Sequence, residues 1–217
     1  MYVKLIGYTP DPVSAVANAA TLCHAMDARY PDKTIALLLR RGHMTPFEHA
    51  VFRFEISDIS RSLSHQLVRH RMASITQESQ RIVEPKEHEA IFPPSVMNAG
   101  KDAIQAYETA ISQAFRAVKH LLQLGVPLED ARYLLPNAAA THVLLTMNAR
   151  SLINFFEQRC CMMAQWEIRE LADQMLGLVQ DVAPEIFAKA GRTCKTRGIC
   201  REGRPCSKAP SGVFIPK

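Results

Sequence analysis

Three consecutive basic residues, Arg69-His70-Arg71, are followed after seven residues by Ser79 and then by Arg81. On a helix, neighbouring positions project about a hundred degrees apart, so the three cations of such a run serve different directions. A basic run at a helix end ordinarily complements the helix dipole. The stretch that follows weakens that plain explanation. Ser79, Gln80 and Arg81 supply a hydroxyl, an amide and a fork-shaped guanidinium, groups that suit a phosphate and a pyrimidine edge.

A second constellation lies downstream, where an apolar run, THVLLTM, gives way to Asn148, Arg150, Asn154 and Arg159. A strand passing into a helix presents backbone N–H groups to an anion. Asn148 fits that role and fits an N-cap equally well. Arg150 and Asn154 are four apart on one helical face beside Leu152, Phe155 and Phe156, with Arg159 near that face. A solvated polar face explains the same spacing. His43 and His49 flank a TPFE turn, but a histidine pair without a third ligand reads as structural rather than metal-binding. His65 and His70 are five apart and do not share a helical face.

The elements needed to hold these residues are legible in the pattern. Residues 2–8 read as a strand, and Asp11-Pro12 as the cap and first position of a helix. A helix over 32–41 stops at Gly42, and Thr45-Pro46-Phe47-Glu48 opens a short helical turn. Residues 50–56 alternate as a half-buried strand, Ser60 caps a helix expected to run from Arg61 to Arg71, and 75–83 reads as extended. Pro85, Pro93 and Pro94 mark a loop. A long amphipathic helix spans 101–124, a short one 127–135, a buried strand 141–147, and two further helices 150–160 and 164–182. Strands and helices without regular alternation make an α+β domain.

Apolar residues make up 47 % of the 217 and charged residues 22 %, ordinary values for a globular chain. No apolar run approaches the ~20 residues that span a bilayer. The N-terminus lacks a signal-peptide core, which places the protein in the cytoplasm. Part of the net charge of +5 gathers in the last 30 residues, at Arg192, Lys195, Arg197, Arg201, Arg204 and Lys208. The interleaved aromatics of an RNA-binding surface are missing, so no nucleic acid is expected. Of six cysteines, Cys23, Cys160, Cys161, Cys194, Cys200 and Cys206, none has the spacing of a zinc knuckle. Cys160 or Cys161 with the three of the tail makes a formal Cys₄ set, yet a thiol-bearing tail without metal is the expectation.

RHRMASITQESQR resembles the RHR-x7-S signature of the flavin-dependent thymidylate synthases. GHMTPFEHAVFRFEI, DARYLLPNA and TMNARSLINFFEQRCCMMAQWEIRELA resemble further blocks of that family in the same order, from about Arg41 to Met175. The resemblance implies a single α+β domain with helices packed on a mainly antiparallel sheet, here residues 1–190, followed by a basic Cys-containing tail, 191–217. It implies dUMP contacts from Gln66, Leu67, Val68 and Arg69, from Gln77, Glu78, Ser79, Gln80 and Arg81, and from Arg132 and Arg159. It implies FAD contacts from Arg69, His70, Arg71, Gln77, Asn148, Ala149, Arg150 and Asn154, with Thr45 reaching FAD from a neighbouring subunit of a homotetramer. His43 would lie at the flavin edge where folate stacks. Arg159 would be catalytic, lying against the uracil and favouring its N3-ionised form.

In that family FAD carries the hydride and no protein thiol attacks the base. The implied reaction takes dUMP, 5,10-methylenetetrahydrofolate and NADPH to dTMP, tetrahydrofolate and NADP⁺. Two residues depart from the pattern: Ile82 stands where Tyr is usual, and Met163 where His or Arg is common. A flavin-dependent methylase of another uridine nucleotide, and a silent nucleotide- or RNA-binding module, are the competing readings.

Overall fold

Four strands form one sheet: β1 (Tyr2–Tyr8), β2 (Val51–Ser60), β3 (Ala73–Gln77) and β4 (Ala140–Asn148), in the order β1-β2-β4-β3. The computed structural model describes residues 1–24, 29–84, 89–203 and 206–215; Pro85, Arg204 and the side chain of Cys23 lie outside them. β2 and β4 run antiparallel. The Ala149 N–H donates to the Ala50 carbonyl at 2.8 Å, and the Arg61 N–H to the Ala139 carbonyl at 3.1 Å, so each strand starts where the other ends. In β2, Phe52, Phe54 and Ile56 are buried while Arg53 and Glu55 are exposed, the period of two that a strand imposes. β4 is half-buried rather than wholly buried: Thr141, Val143, Leu145 and Met147 face inward and His142 and Leu144 outward.

The helices are α1 (Pro12–His24), α2 (Pro31–Arg41), α3 (Arg61–Leu67), α4 (Pro94–Asn98), α5 (Lys101–Gln123), α6 (Leu128–Ala131), α7 (Ala149–Arg159), α8 (Trp166–Val182), α9 (Pro184–Phe187) and α10 (Thr193–Thr196), with 3-10 turns at Thr45–His49 and Arg132–Leu134. Their ends follow the capping residues. The Asp11 carboxylate accepts from the Ser14 N–H at 3.1 Å, and the Ser60 hydroxyl from the Leu63 N–H at 2.9 Å. Gly42, at φ 73°, takes the left-handed turn that closes α2. The pattern missed α4, α9 and α10, each only four or five residues long.

Two expectations need correction at the site itself. α3 ends at Leu67, so Arg69, His70 and Arg71 follow the helix instead of forming its last turn. His70 packs against Phe155 instead of continuing the spiral, a tertiary contact that overrides local propensity. The extended stretch is also shorter: β3 ends at Gln77, and residues 79–83 curl into a turn in which the Ile82 and Val83 N–H groups donate to the Ser79 carbonyl. The Ser79 hydroxyl accepts from the Arg81 N–H at 3.3 Å, a local bond that competes with strand pairing.

Two compact units divide the chain. The first holds Met1–Tyr2, Ile56–Arg69 and Thr76–Val143, and the second Val3–Glu55, His70–Ile75 and Leu144–Lys217. In the first, Ile111 and Phe115 of α5 pack with Ala139 and the half-buried Tyr107 and Leu135. In the second, Phe47, Phe52, Phe54, Phe155, Phe156 and Phe187 are fully buried. Phe187 meets Phe52 edge-on at 5.3 Å and Phe156 at 6.1 Å. Each such ring contributes roughly 1.5–3 kcal/mol by leaving water. This aromatic core anchors α7, which carries most of the downstream site residues.

Candidate active site

In the second unit the two motif blocks meet. Arg159 Nε donates to His70 Nε2 at 2.9 Å across 89 residues of sequence. A guanidinium only donates, so His70 is a neutral imidazole whose proton sits on Nδ1. Burial, and then the Arg159 charge, push the His70 pKa down to about 4. The ring stands edge-on to Phe155 at 4.9 Å and 81°. With Nε held, the terminal nitrogens of Arg159 remain for a carbonyl or an anion.

The start of α7 resolves the ambiguity over Asn148. Its side-chain oxygen accepts from the Ser151 N–H at 2.8 Å, so it is the N-cap. Ala149 is buried in the core. Arg150 pairs with Glu48 of the Thr45–His49 turn at 2.6 Å, and Asn154 accepts from Gln158 one turn later at 3.1 Å. Thr45, His43 and Arg71 are exposed. The structure thus brings His70 to Arg159, and Arg150 to the turn that Thr45 begins.

The first unit holds the other set. Leu67 is fully buried, so its side chain serves the core, while Val68 and Arg69 are exposed beside it and Gln66 is half-buried. Gln77 donates to Thr141 Oγ1 at 3.1 Å, and the Glu78 N–H to the His142 carbonyl at 3.0 Å. Gln80 is half-buried in the turn. Arg81 forks onto one oxygen of Glu129, through Nη2 at 2.8 Å and Nε at 3.0 Å. Ser79, Arg81, Ile82 and Glu129 line a cavity of about 310 Å³. Arg132 Nε donates to the Glu129 carbonyl at 3.0 Å.

One residue of this set went unread in the sequence. Arg61 Nη1 is buried without a hydrogen-bond partner among the described residues. Burial and then the charge of Arg132 disfavour its cationic form, while Glu78 partly offsets them. A buried donor left unpaired costs about 1–3 kcal/mol, more when charged. A signal for it was available: Arg61 directly follows the Ser60 cap, at the helix end where the dipole favours an acid. A cation placed there against the dipole marks a position chosen for something other than α3 itself.

Among the described residues, no three His, Cys, Asp or Glu side chains come together to hold a metal. The Cys160 thiol is buried, and burial together with Asp173 raises its pKa, so it stays protonated. The two departures from the expected pattern, Ile82 and Met163, are 82 % and 54 % exposed. Neither substitution therefore disturbs a core.

The family described as thymidylate synthase complementing protein matches residues 4–185. The chain is 46 % identical to the flavin-dependent thymidylate synthase of Geobacter sulfurreducens, over 96 % of this chain and 95 % of that one. It is 40 % identical to that of Nitratidesulfovibrio vulgaris, over 99 % and 97 %. Among solved structures, the flavin-dependent thymidylate synthase of Helicobacter pylori, complexed with FAD and dUMP, matches at TM-score 0.71 and 26 % identity, covering 88 % of this chain and 100 % of that one. The UMP/dUMP methylase PolB of Streptomyces cacaoi, bound with 5-Br dUMP, shares the fold at TM-score 0.77 and 23 % identity, over 86 % and 93 %. With the Arg159–His70 contact joining its two signature blocks, the chain belongs to the flavin-dependent thymidylate synthase family.

Proposed function

We propose that this chain methylates dUMP to dTMP, with FAD as its resident cofactor and 5,10-methylenetetrahydrofolate and NADPH as co-substrates. The observation that carries the reading is the fixed Arg159: a guanidinium pinned at one nitrogen by a neutral imidazole and open at the others. Pressed against the edge of a uracil, those nitrogens stabilise the N3-ionised base. A preorganised donor of this kind contributes roughly 3–4 kcal/mol to a transition state.

The nucleotide phosphate belongs with Arg61, Arg81, Arg132 and Ser79. The unpaired Arg61 nitrogen and the like-charged Arg132 beside it are relieved by a dianion. Gln66, Arg69, Gln77, Glu78 and Gln80, with the backbone at Leu67 and Val68, complete the cradle in this reading. The donor set on α7 suits FAD. His70 offers a neutral N–H and a ring edge, while Arg150 at a helix start suits a pyrophosphate, and Arg71, Asn148, Ala149 and Asn154 lie alongside in sequence or on the same helix. Bound FAD supplies hydride; the residues named here bind, orient and polarise. His43 takes the folate side.

The same reading makes the enzyme a cytoplasmic homotetramer, with Thr45 serving a neighbour's FAD, residues 1–190 the catalytic domain and 191–217 the tail. Tyr2, Ile6 and Tyr8, exposed at alternate positions of the edge strand β1, give a second copy an apolar surface to cover. Release of tritium from C5-labelled dUMP, dependent on FAD, NADPH and methylenetetrahydrofolate, tests the assignment. A colourless preparation that releases none even with added FAD overturns it.

A further inference from the structure

The family match ends at residue 185, yet the segment beyond it is tied to the helix that carries Arg159. Glu157, two residues before Arg159 on α7, has a side chain only 10 % exposed and takes two guanidiniums from the tail. Arg197 Nη2 sits on its Oε1, and Arg201 Nη1 on its Oε2 at 3.5 Å. Glu157, Arg159, Arg192 and Arg201 line one cavity of about 280 Å³, together with Cys161 and Cys194. A carboxylate this enclosed is costly to bury unless cations face it. Without the two tail arginines, the guanidiniums left on that cavity are Arg192 and Arg159, and Arg159 is the one carried on the same helix as Glu157.

We propose that Arg197 and Arg201 are positioning residues for Arg159: by occupying both oxygens of Glu157, they stop that carboxylate from capturing the guanidinium the uracil needs. The inference rests on the role given to Arg159 above. Positions two apart on a helix do not face each other, so capture by Glu157 swings Arg159 off His70 and away from the substrate. The tail is then a working part of the active site, and its cations neutralise an acid that α7 itself brings there.

Charge suppression in the full-length enzyme tests this. R197A/R201A should lose at least tenfold in kcat for tritium release from dUMP while keeping its flavin absorbance. Adding E157Q should bring kcat back to within about threefold of wild type, because the capturing charge is gone. A merely structural clasp gives the opposite result, since the triple variant has no more clasp than the double. A triple variant as slow as the double, or a double as fast as wild type, overturns the proposal. Should the double variant fail to fold, R201A alone, with a smaller loss likewise relieved by E157Q, makes the same comparison. A wild type that leaves dUMP untouched refutes the functional reading separately. The inference is then decided by NMR of the slowly exchanging Arg159 Nε proton, present in wild type and triple variant and lost in the double. Equal protection in all three refutes it.

Discussion

Lowering the pH should unlatch Arg159, because the contact that holds it requires an uncharged His70. The imidazole has an ordinary pKa of 6.5 in the unfolded chain and about 4 in the folded one. The folded form thus binds its proton less readily. Stability from this group is complete above about pH 6.5 and is lost as the pH falls towards 4. The fall from 6.5 to about 4 corresponds to a ceiling of about 3.4 kcal/mol. His70 is only half-buried, and solvent screening brings the expected loss to roughly 1–2 kcal/mol at about pH 4.5. Gln at this position keeps an acceptor near Nε2 but takes no proton. Urea unfolding of wild type and H70Q, at equal protomer concentration and at about pH 7 and about pH 4.5, isolates the contribution of His70. Wild type should lose roughly 1–2 kcal/mol more than H70Q between the two conditions. Identical losses would mean that His70 is not the neutral partner of Arg159 and that the geometry has been misread.

Three further outcomes follow from the same contacts. Arg61→Met should leave the ligand-free protein as stable as wild type, or more stable by up to about 1 kcal/mol, because a buried guanidinium nitrogen without a partner is removed. The same variant should weaken dUMP binding at least tenfold, so melting curves with and without dUMP should move in opposite directions. Glu129→Gln releases Arg81 from an exposed ion pair worth at most about 1 kcal/mol, and calorimetry should find dUMP binding severalfold tighter. Asn148→Ala should cost about 1 kcal/mol through the lost cap of α7, a fall in Tm of roughly 2–4 °C for a chain of this size. Asn148→Asp should keep the melting point, and its flavin content then reports whether the amide N–H₂ also serves FAD.

Much of this was legible because local rules act over a few residues. Asp11, Gly42 and Ser60 punctuate helices by hydrogen bonds they make within three positions, and the alternation in β2 needs only the pleat. What escaped depended on partners remote in sequence. Nothing near His70 says that α3 will stop before it; Phe155 and Arg159, more than 80 positions away, decide that. The turn at Ser79 was hidden by its lack of Gly or Pro, and is made by a hydroxyl closing on the Arg81 N–H. The tail was read as an appendage because the acid it neutralises lies forty residues upstream, within an apolar helix whose burial the sequence suggests without naming a partner.

The arginines of the proposed site also divide by what holds them before any ligand arrives. Arg81 rests on Glu129, Arg150 on Glu48 and Arg159 on His70, so each must exchange or share a partner when an anion binds. The first two exchanges are between half-exposed ion pairs and return little free energy in either direction. In the proposed site these arginines would therefore set selectivity and position more than affinity. Arg61 is different: its buried nitrogen gives up nothing when a phosphate oxygen comes within reach, and the repulsion from Arg132 falls at the same moment. In the proposed site the steepest gain in binding free energy thus falls on a residue outside the Arg-His-Arg signature, on the first turn of α3, where the chain tolerates a cation against the helix dipole. Arg159 alone is held by a neutral partner, so it needs no carboxylate displaced before its open nitrogens can meet the base.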